Sequence, residues 1–356
     1  MKLALVDGAL GHSGSFLIKL LLEKGWKVVA TDLKDEHRKE LMTKETNYDV
    51  IFHTASLYDY NAPYELLHKI NYEGLQNLLQ VLSDYTEESK TPFPRFIHWS
   101  TCGVYGEPNY PKDEKGFIYP VNEDTPFNPP NDYSKTKVEQ EKLLINFSEK
   151  NEKFYYNILR PAPIYGPYQT YGMYHIFYSS YTTGHMIVAK IFPKRKKLFM
   201  PFIHVKDLAK AALFIAECEE GTSQVFNIIN DSILQEDWEE FLYNELGISF
   251  STVPIPWFLF KIIANFELVI AKFKAKRAKK RGYRPKFDIP MVEYLTHQYY
   301  FSNKKLKDLG FEFEYNDFKK GIKETVRWYK DNKWFPSFEP LEFLQNKILK
   351  NQEEAI

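Results

Sequence analysis

Cysteine is scarce in this chain. Only Cys102 and Cys218 occur in 356 residues, and no CxxC or Cys/His cluster accompanies them. That leaves no basis for a disulfide framework or a thiolate metal site, so no metal is expected. A reducing compartment, the cytoplasm, is the expected location. Long apolar runs are missing too. No stretch reaches the roughly 20 residues a membrane span needs; the nearest, 254–271, is interrupted by Lys261, Asn265 and Glu267. The apolar start at Leu3–Val6 is too short for a signal peptide and runs straight into a glycine-rich turn. Finally, no charge of one sign dominates. Forty-seven basic and 47 acidic residues cancel, which gives no reason to expect nucleic acid as a partner.

What is present is enough apolar material for a sizeable core, 44% of the chain, and an unusual share of aromatics at 17%, with 28 Phe and 25 Tyr. These aromatics are expected to serve packing rather than a function of their own. The first half alternates strand and helix patterns. Strands are predicted at Lys2–Val6, Lys27–Thr31, Asp49–Thr54, Arg95–Trp99 and Phe154–Leu159. Helices are predicted at Gly14–Glu23, Pro63–Tyr85 and Asn131–Glu149. Such alternation predicts a parallel sheet with right-handed crossovers. Later segments predict helices at Val205–Glu217, Gln235–Leu246, Trp257–Lys280 and Phe318–Asn332, and a strand at Gln224–Ile228. The fold class is α/β: a Rossmann-type doubly wound parallel sheet with helices on both faces, and a smaller, mostly helical C-terminal substrate domain.

After the first strand comes Gly8-Ala-Leu-Gly11-His-Ser-Gly14, followed at once by an apolar helix. Gly8 permits the tight turn, Gly11 lets the backbone approach a pyrophosphate, and Gly14 lets helix and strand close up. The helix N-terminus adds N–H donors and a positive dipole end. Asp32 follows 18 residues beyond Gly14, at the end of the second strand, where a carboxylate would bond the ribose hydroxyls of NAD and repel the phosphate of NADP. Lys34, two residues on, keeps NADP as the alternative.

The strand Arg95–Trp99 runs into Ser100-Thr101-Cys102-Gly103-Val104-Tyr105-Gly106, and Tyr133-Ser-Lys-Thr-Lys137 opens a later helix. Positions i and i+4 share a helix face, so Tyr133 and Lys137 are expected to point into one site. The ammonium is expected to lower the tyrosine pKa, and Thr101 to orient a substrate oxygen.

These segments belong to an ordered series. Val50-Ile-Phe-His-Thr-Ala55, Asn71-Tyr-Glu-Gly74, Glu123-Asp-Thr-Pro126, Leu159-Arg-Pro-Ala-Pro-Ile-Tyr-Gly-Pro167 and Phe202-Ile-His-Val-Lys-Asp207 complete it. The series resembles the extended short-chain dehydrogenase/reductase family, also called the NAD-dependent epimerase/dehydratase family, over residues 1 to about 335. The resemblance implies Tyr133 as acid/base, Lys137 as the residue that holds the nicotinamide ribose and tunes Tyr133, and Thr101 as the partner of the reacting oxygen. It implies cofactor contacts from Gly8, Gly11, His12, Ser13, Gly14, Asp32, Thr54, Ala55, Ser56 and Asn71, with Pro161 and Ile164 flanking the nicotinamide. It also suggests a dinucleotide-binding part at 1–166 and 204–230, a substrate-binding region at 167–203 and 231–335, and a tail at 336–356.

The chain departs from the family pattern in three places. The interval from Asp32 to His53 leaves room for one helix, so the third strand is expected to be reduced or missing. Cys102 and Gly103 stand where sugar dehydratases carry an Asp-Glu pair, which argues against water elimination. Pro193–Pro201 lacks the glycine, glutamine and Arg-Asp pair of nucleotide-sugar members, although Arg284 could still meet a phosphate. The apolar segment 254–271 leads into seven cations within 272–281. That layout is similar to the 3β-hydroxysteroid dehydrogenase-like branch. It reads either as a buried helix with a solvated end or as an element resting on a membrane surface. The expected function is therefore an NAD-dependent oxidoreductase for a secondary alcohol or ketone of a hydrophobic, sterol- or lipid-like small molecule. The alternative is a nucleotide-sugar 4-epimerase with retained NAD. A homodimer is left open.

Overall fold

The computed structural model describes residues 1–32, 47–60, 62–281 and 289–335. Six parallel strands form the main sheet: β1 (Leu3–Asp7), β2 (Lys27–Thr31), β3 (Val50–His53), β4 (Arg95–Trp99), β5 (Tyr156–Pro161) and β10 (Gln224–Ile228), in the order β10-β5-β4-β3-β1-β2. Strand alternation builds two layers. Leu5, Ile51, Phe96 and Ile158 enter one apolar cluster with helices α3 (Gly74–Ser89) and α4 (Asp132–Lys150). Ala4, Val6, Val50, Phe52, Ile97, Trp99 and Leu159 enter another with α1 (His12–Glu23) and α6 (Val205–Glu217). Residues of period two facing opposite helical layers are what a doubly wound sheet requires. The strand order reverses between β1 and β3, so a crevice opens there at the carboxyl ends of the strands. Among the described residues β2 is the sheet edge. The interval in which the third strand is expected to be reduced or missing falls mainly on 33–46, outside the described residues, as does the 336–356 tail.

A second apolar core lies beyond the sheet. It joins α5 (Met173–Thr183), α7 (Gln235–Leu246) and α11 (Phe318–Asp331) through Phe177, Trp238, Leu242, Ile322, Val326 and Tyr329. Short strand pairs tie it to the rest: β6 (Ile164–Tyr165) with β9 (Ile203–His204), and β8 (Phe199–Met200) with β11 (Ile233–Leu234). One feature differs from the sequence expectation. The segment expected to lead into a helix around Val253 is a strand, β12 (Ser249–Pro256), paired in parallel with β7 (His185–Phe192). A two-stranded ribbon can hold Pro254 and Pro256 because its outer edge needs no N–H donor. Helix α8 (Trp257–Lys280) then begins where the sequence predicts it, and α9 (Ile289–Thr296) packs against it. The order is completed by α2 (Tyr64–Leu67) and α10 (Lys304–Asp308).

Candidate active site

The glycine loop closes onto β3. Gly8 has φ +90, and a Cβ there would lie 2.5 Å from Thr54 Oγ1 and 2.6 Å from Ala55 N. A Cβ on Gly14 would collide with the Gly8 carbonyl. Helix α1 has no acidic residue in its first turn, so its first N–H groups keep their capacity for an anion. Asp32 Oδ2 accepts a hydrogen bond from Leu10 N at 2.9 Å, which ties the acidic end of β2 to the loop. Tight glycines, an open helix start and a nearby carboxylate make a cradle suited to a dinucleotide.

One continuous cavity runs from this loop past the predicted chemistry. Gly11, His12, Ser13 and Gly14 line one end; Thr54, Ser56, Thr101, Tyr133 and Lys137 line the middle, with Pro161 and Ile164 alongside. Four predicted cofactor residues do not line it, and all four act through neighbours. Gly8 and Ala55 form the turn packing just described, and Asp32 anchors Leu10. Asn71 is buried, and its Oδ1 accepts from Ser56 Oγ at 3.1 Å and Leu57 N at 2.7 Å. It sits in a π-helical turn, His68–Glu73, inside the segment predicted as one continuous helix. Widened turns of this kind free backbone groups: the Asn71 carbonyl accepts from Gln140 Nε2 at 2.7 Å, locking this turn to α4.

Helix α4 presents Tyr133 and Lys137 because Asn131 caps it, accepting from Ser134 N at 2.9 Å. Lys137 is 1% exposed and donates to the Trp99 carbonyl at 2.8 Å. Burial lowers its pKa from 10.5 to about 7, against an opposing pull from Glu141. Its Nζ stands 5.8 Å from the centre of the Tyr133 ring. The expected lowering of the Tyr133 pKa by Lys137 is not what the structure shows. Burial dominates and pushes the hydroxyl up, Tyr58 and Tyr171 add to the rise, and a hydrogen bond with Ser56 opposes it. The Tyr133 hydroxyl therefore keeps its proton at neutral pH. Thr101 Oγ1 accepts from Gly103 N at 3.0 Å, which leaves its own proton for another acceptor. Behind it Ser100 donates to Glu141, and Arg160 holds Glu141 through Nε at 3.0 Å and Nη2 at 2.6 Å. This buried fork fixes the loop that carries Thr101.

Sequence reasoning missed the far wall of the cavity. Tyr58, Tyr60, Tyr171 and Tyr294 join Met173 and Ile176 there. Tyr58 and Tyr60 meet the Tyr133 ring edge-on, with centroids 5.2 and 5.4 Å away. The available signal was the tyrosine clustering in 58–60 and 165–174 together with the aromatic excess, which was attributed to packing. A row of polar groups beneath the site was also missed. Asp7, His53 and His98 pair in register across β1, β3 and β4. His53 Nε2 lies 3.5 Å from Asp7 Oδ2, and the two Nδ1 atoms of His53 and His98 are 3.0 Å apart. Burial, aided by His53 and Lys137, holds His98 well below the ordinary imidazole range. His12, held at about 4 by burial, is neutral and bonds the Pro167 carbonyl at 2.8 Å.

Set against known proteins, the model of the NAD dependent epimerase/dehydratase family matches residues 4–228, more than half of the chain. The chain belongs to that family. Over 354 residues it is 25% identical to a Methanocaldococcus jannaschii protein with the provisional name UDP-glucose 4-epimerase, covering 92% of this chain and 98% of the other. It is also 25% identical over 182 residues to the sterol-4-alpha-carboxylate 3-dehydrogenase (decarboxylating) of Bos taurus, covering 47% of this chain and 48% of that one. The fold matches that of a UDP-glucose 4-epimerase from Thermotoga maritima, with a TM-score of 0.66 and 22% identity over 93% of this chain and 99% of that structure. The names of these relatives divide between sugar epimerisation and sterol oxidation.

Proposed function

We propose that this family member is an NAD-dependent oxidoreductase acting on a secondary alcohol or ketone of a hydrophobic, sterol- or lipid-like small molecule. One observation carries the reading. Thr101, Tyr133 and Lys137 share a cavity whose far wall carries Tyr58, Tyr60, Tyr171, Met173, Ile176 and Tyr294, with Gln169 among its few polar neighbours. Lys137 is the one Lys or Arg among the described lining residues; it donates to the Trp99 carbonyl and stands beside Tyr133 rather than on the far wall. A flat or aliphatic substrate suits this wall; a diphosphate finds no cation on it.

In this reading residues 1–166 and 204–230 bind the dinucleotide, and 167–203 with 231–335 bind the substrate. Asp32 favours NAD over NADP. The cofactor, when bound, supplies or accepts the hydride. The Tyr133 hydroxyl gives its proton to the substrate oxygen in reduction and recovers it in oxidation. Thr101 holds that oxygen by its free hydroxyl proton, and Lys137 anchors the ribose beside Tyr133. The tyrosine wall excludes water from the reacting carbon.

The second reading is a nucleotide-sugar 4-epimerase that retains its NAD, favoured by the similarity to proteins of that name. It would require a diphosphate partner such as Arg284, which lies outside the described residues. The test is turnover of free cofactor, followed by nicotinamide absorbance, with hydrophobic alcohols and ketones, alongside UDP-sugar epimerisation without net redox. Tyr133→Phe should lower turnover by roughly 10² to 10⁴-fold while dinucleotide binding persists. Epimerisation with no cofactor turnover would replace the first reading with the second.

A further inference from the structure

Helix Trp257–Lys280 is built inside out. The residues it turns to the protein are Phe260, Ala264, Ala271, Ala275 and Ala278, all buried. Large apolar residues dominate the face it turns away, with Asn265 and Glu267 exposed among them. Phe258, Ile262, Phe266, Val269 and Phe273, spaced by four, four, three and four, are each more than 60% exposed. A soluble helix normally does the reverse, burying its large side chains and exposing its small or polar ones. Five large apolar side chains on one continuous outward stripe make a surface patch of the kind that marks an interaction site.

The charge around the stripe says what covers it. Toward the C-terminal end stand Lys272, Lys274, Lys276, Arg277, Lys280 and Arg281, all exposed. At the other end the exposed turn Lys194–Lys196 reaches the same helix: Lys196 Nζ is 5.7 Å and Lys261 Nζ 5.3 Å from the Trp257 ring centre. Cations thus bracket an apolar stripe at both ends. The helix is no membrane span, since no helix among the described residues is long and apolar enough to cross one.

We propose that this helix docks the protein on an anionic lipid surface. The helix lies flat, with Phe258, Phe266 and Phe273 among the acyl chains and the cations against lipid phosphates. The docking helix stands one helix away from the cavity. Helix Ile289–Thr296 packs on Trp257–Lys280 and carries Tyr294 into the cavity wall, so an apolar substrate can pass from lipid to site without crossing water. The docking goes beyond the oxidoreductase reading and stands whichever reaction the site performs.

The test uses the full chain and vesicles of phosphatidylcholine alone or mixed with phosphatidylserine. The protein should co-sediment with the mixed vesicles at low salt, and release as salt screens the charges. Phe258→Ser/Phe266→Ser/Phe273→Ser should abolish binding. Lys276→Gln/Arg277→Gln/Lys280→Gln/Arg281→Gln should weaken it about 600-fold, at about fivefold per cation. Dinucleotide affinity, measured by calorimetry, should be unchanged in both variants, which shows that they are folded and separates this test from that of the reaction. No binding to the mixed vesicles at any salt would overturn the proposal, as would full binding by the triple-serine variant. A dimer by light scattering that the triple-serine change dissociates would also overturn it, by assigning the stripe to a second copy.

Discussion

Lys137→Met should make the cofactor-free protein more stable and leave it inactive. The Lys137 ammonium is buried, and its pKa falls from 10.5 to about 7. That gap corresponds to roughly 5 kcal/mol at pH 7, at about 1.4 kcal/mol per pH unit. Methionine has a similar length and no charge. Its cost is the Trp99 carbonyl, which loses its donor at 2.8 Å, worth about 1–3 kcal/mol. A net gain of roughly 2–4 kcal/mol at pH 7 follows. Between pH 7 and 10.5 the unfolded chain holds a proton on this lysine that the folded chain has given up. Wild-type stability from this group therefore rises across that window, and the advantage of the methionine variant shrinks, vanishes within the window and reverses by its upper end, where only the lost hydrogen bond remains. Urea unfolding of both proteins at several pH values measures the difference, in which groups common to both cancel. A variant less stable than wild type at pH 7, or a difference that does not change with pH, would refute the assignment of a buried, strained ammonium to Lys137.

Two further changes probe the cofactor cradle. Gly14→Ala places a methyl group against the Gly8 carbonyl, so the loop must open; dinucleotide affinity by calorimetry should fall at least about tenfold, and wild-type affinity would show that the loop is not the phosphate site. Asp32→Ala should narrow the preference for NAD over NADP and, by freeing Leu10 N, weaken both; an unchanged ratio would mean that Asp32 does not read the ribose.

Most of the Rossmann half was legible because its strands and helices carry their own periodicity. Lys27–Thr31, Arg95–Trp99, Val205–Glu217 and Gln224–Ile228 lie where the sequence predicts them. The glycine loop and the Tyr133–Lys137 pair were legible because chemistry and spacing coincide in short segments. What stayed hidden depends on tertiary register. Asp7, His53 and His98 are single polar residues at the ends of three apolar runs, and only the pairing of β1, β3 and β4 puts them in a row. Tyr58, Tyr171 and Tyr294 come from three distant loops and helices, and no spacing rule joins them. Helix Trp257–Lys280 misleads for another reason. Its range was readable, but periodicity alone would bury the phenylalanines, whereas the ribbon of β7 and β12 receives Phe260 and Ala264.

The alanine seam bears on how firmly this helix is held. Burying a methyl-sized group stabilises by about 0.8 kcal/mol, so Ala264, Ala271, Ala275 and Ala278 together contribute only roughly 3 kcal/mol. Beyond the Phe260 anchor, local opening of the helix then costs far less than unfolding the sheet, and the amides of its C-terminal half belong to the fast end of hydrogen exchange. Covering the opposite face would slow that exchange without any change in the seam. Because Ile289–Thr296 rests on the same helix and carries Tyr294, quieting the helix also steadies one wall of the cavity. On the proposed docking, the cavity is best ordered when the protein rests on the lipid surface.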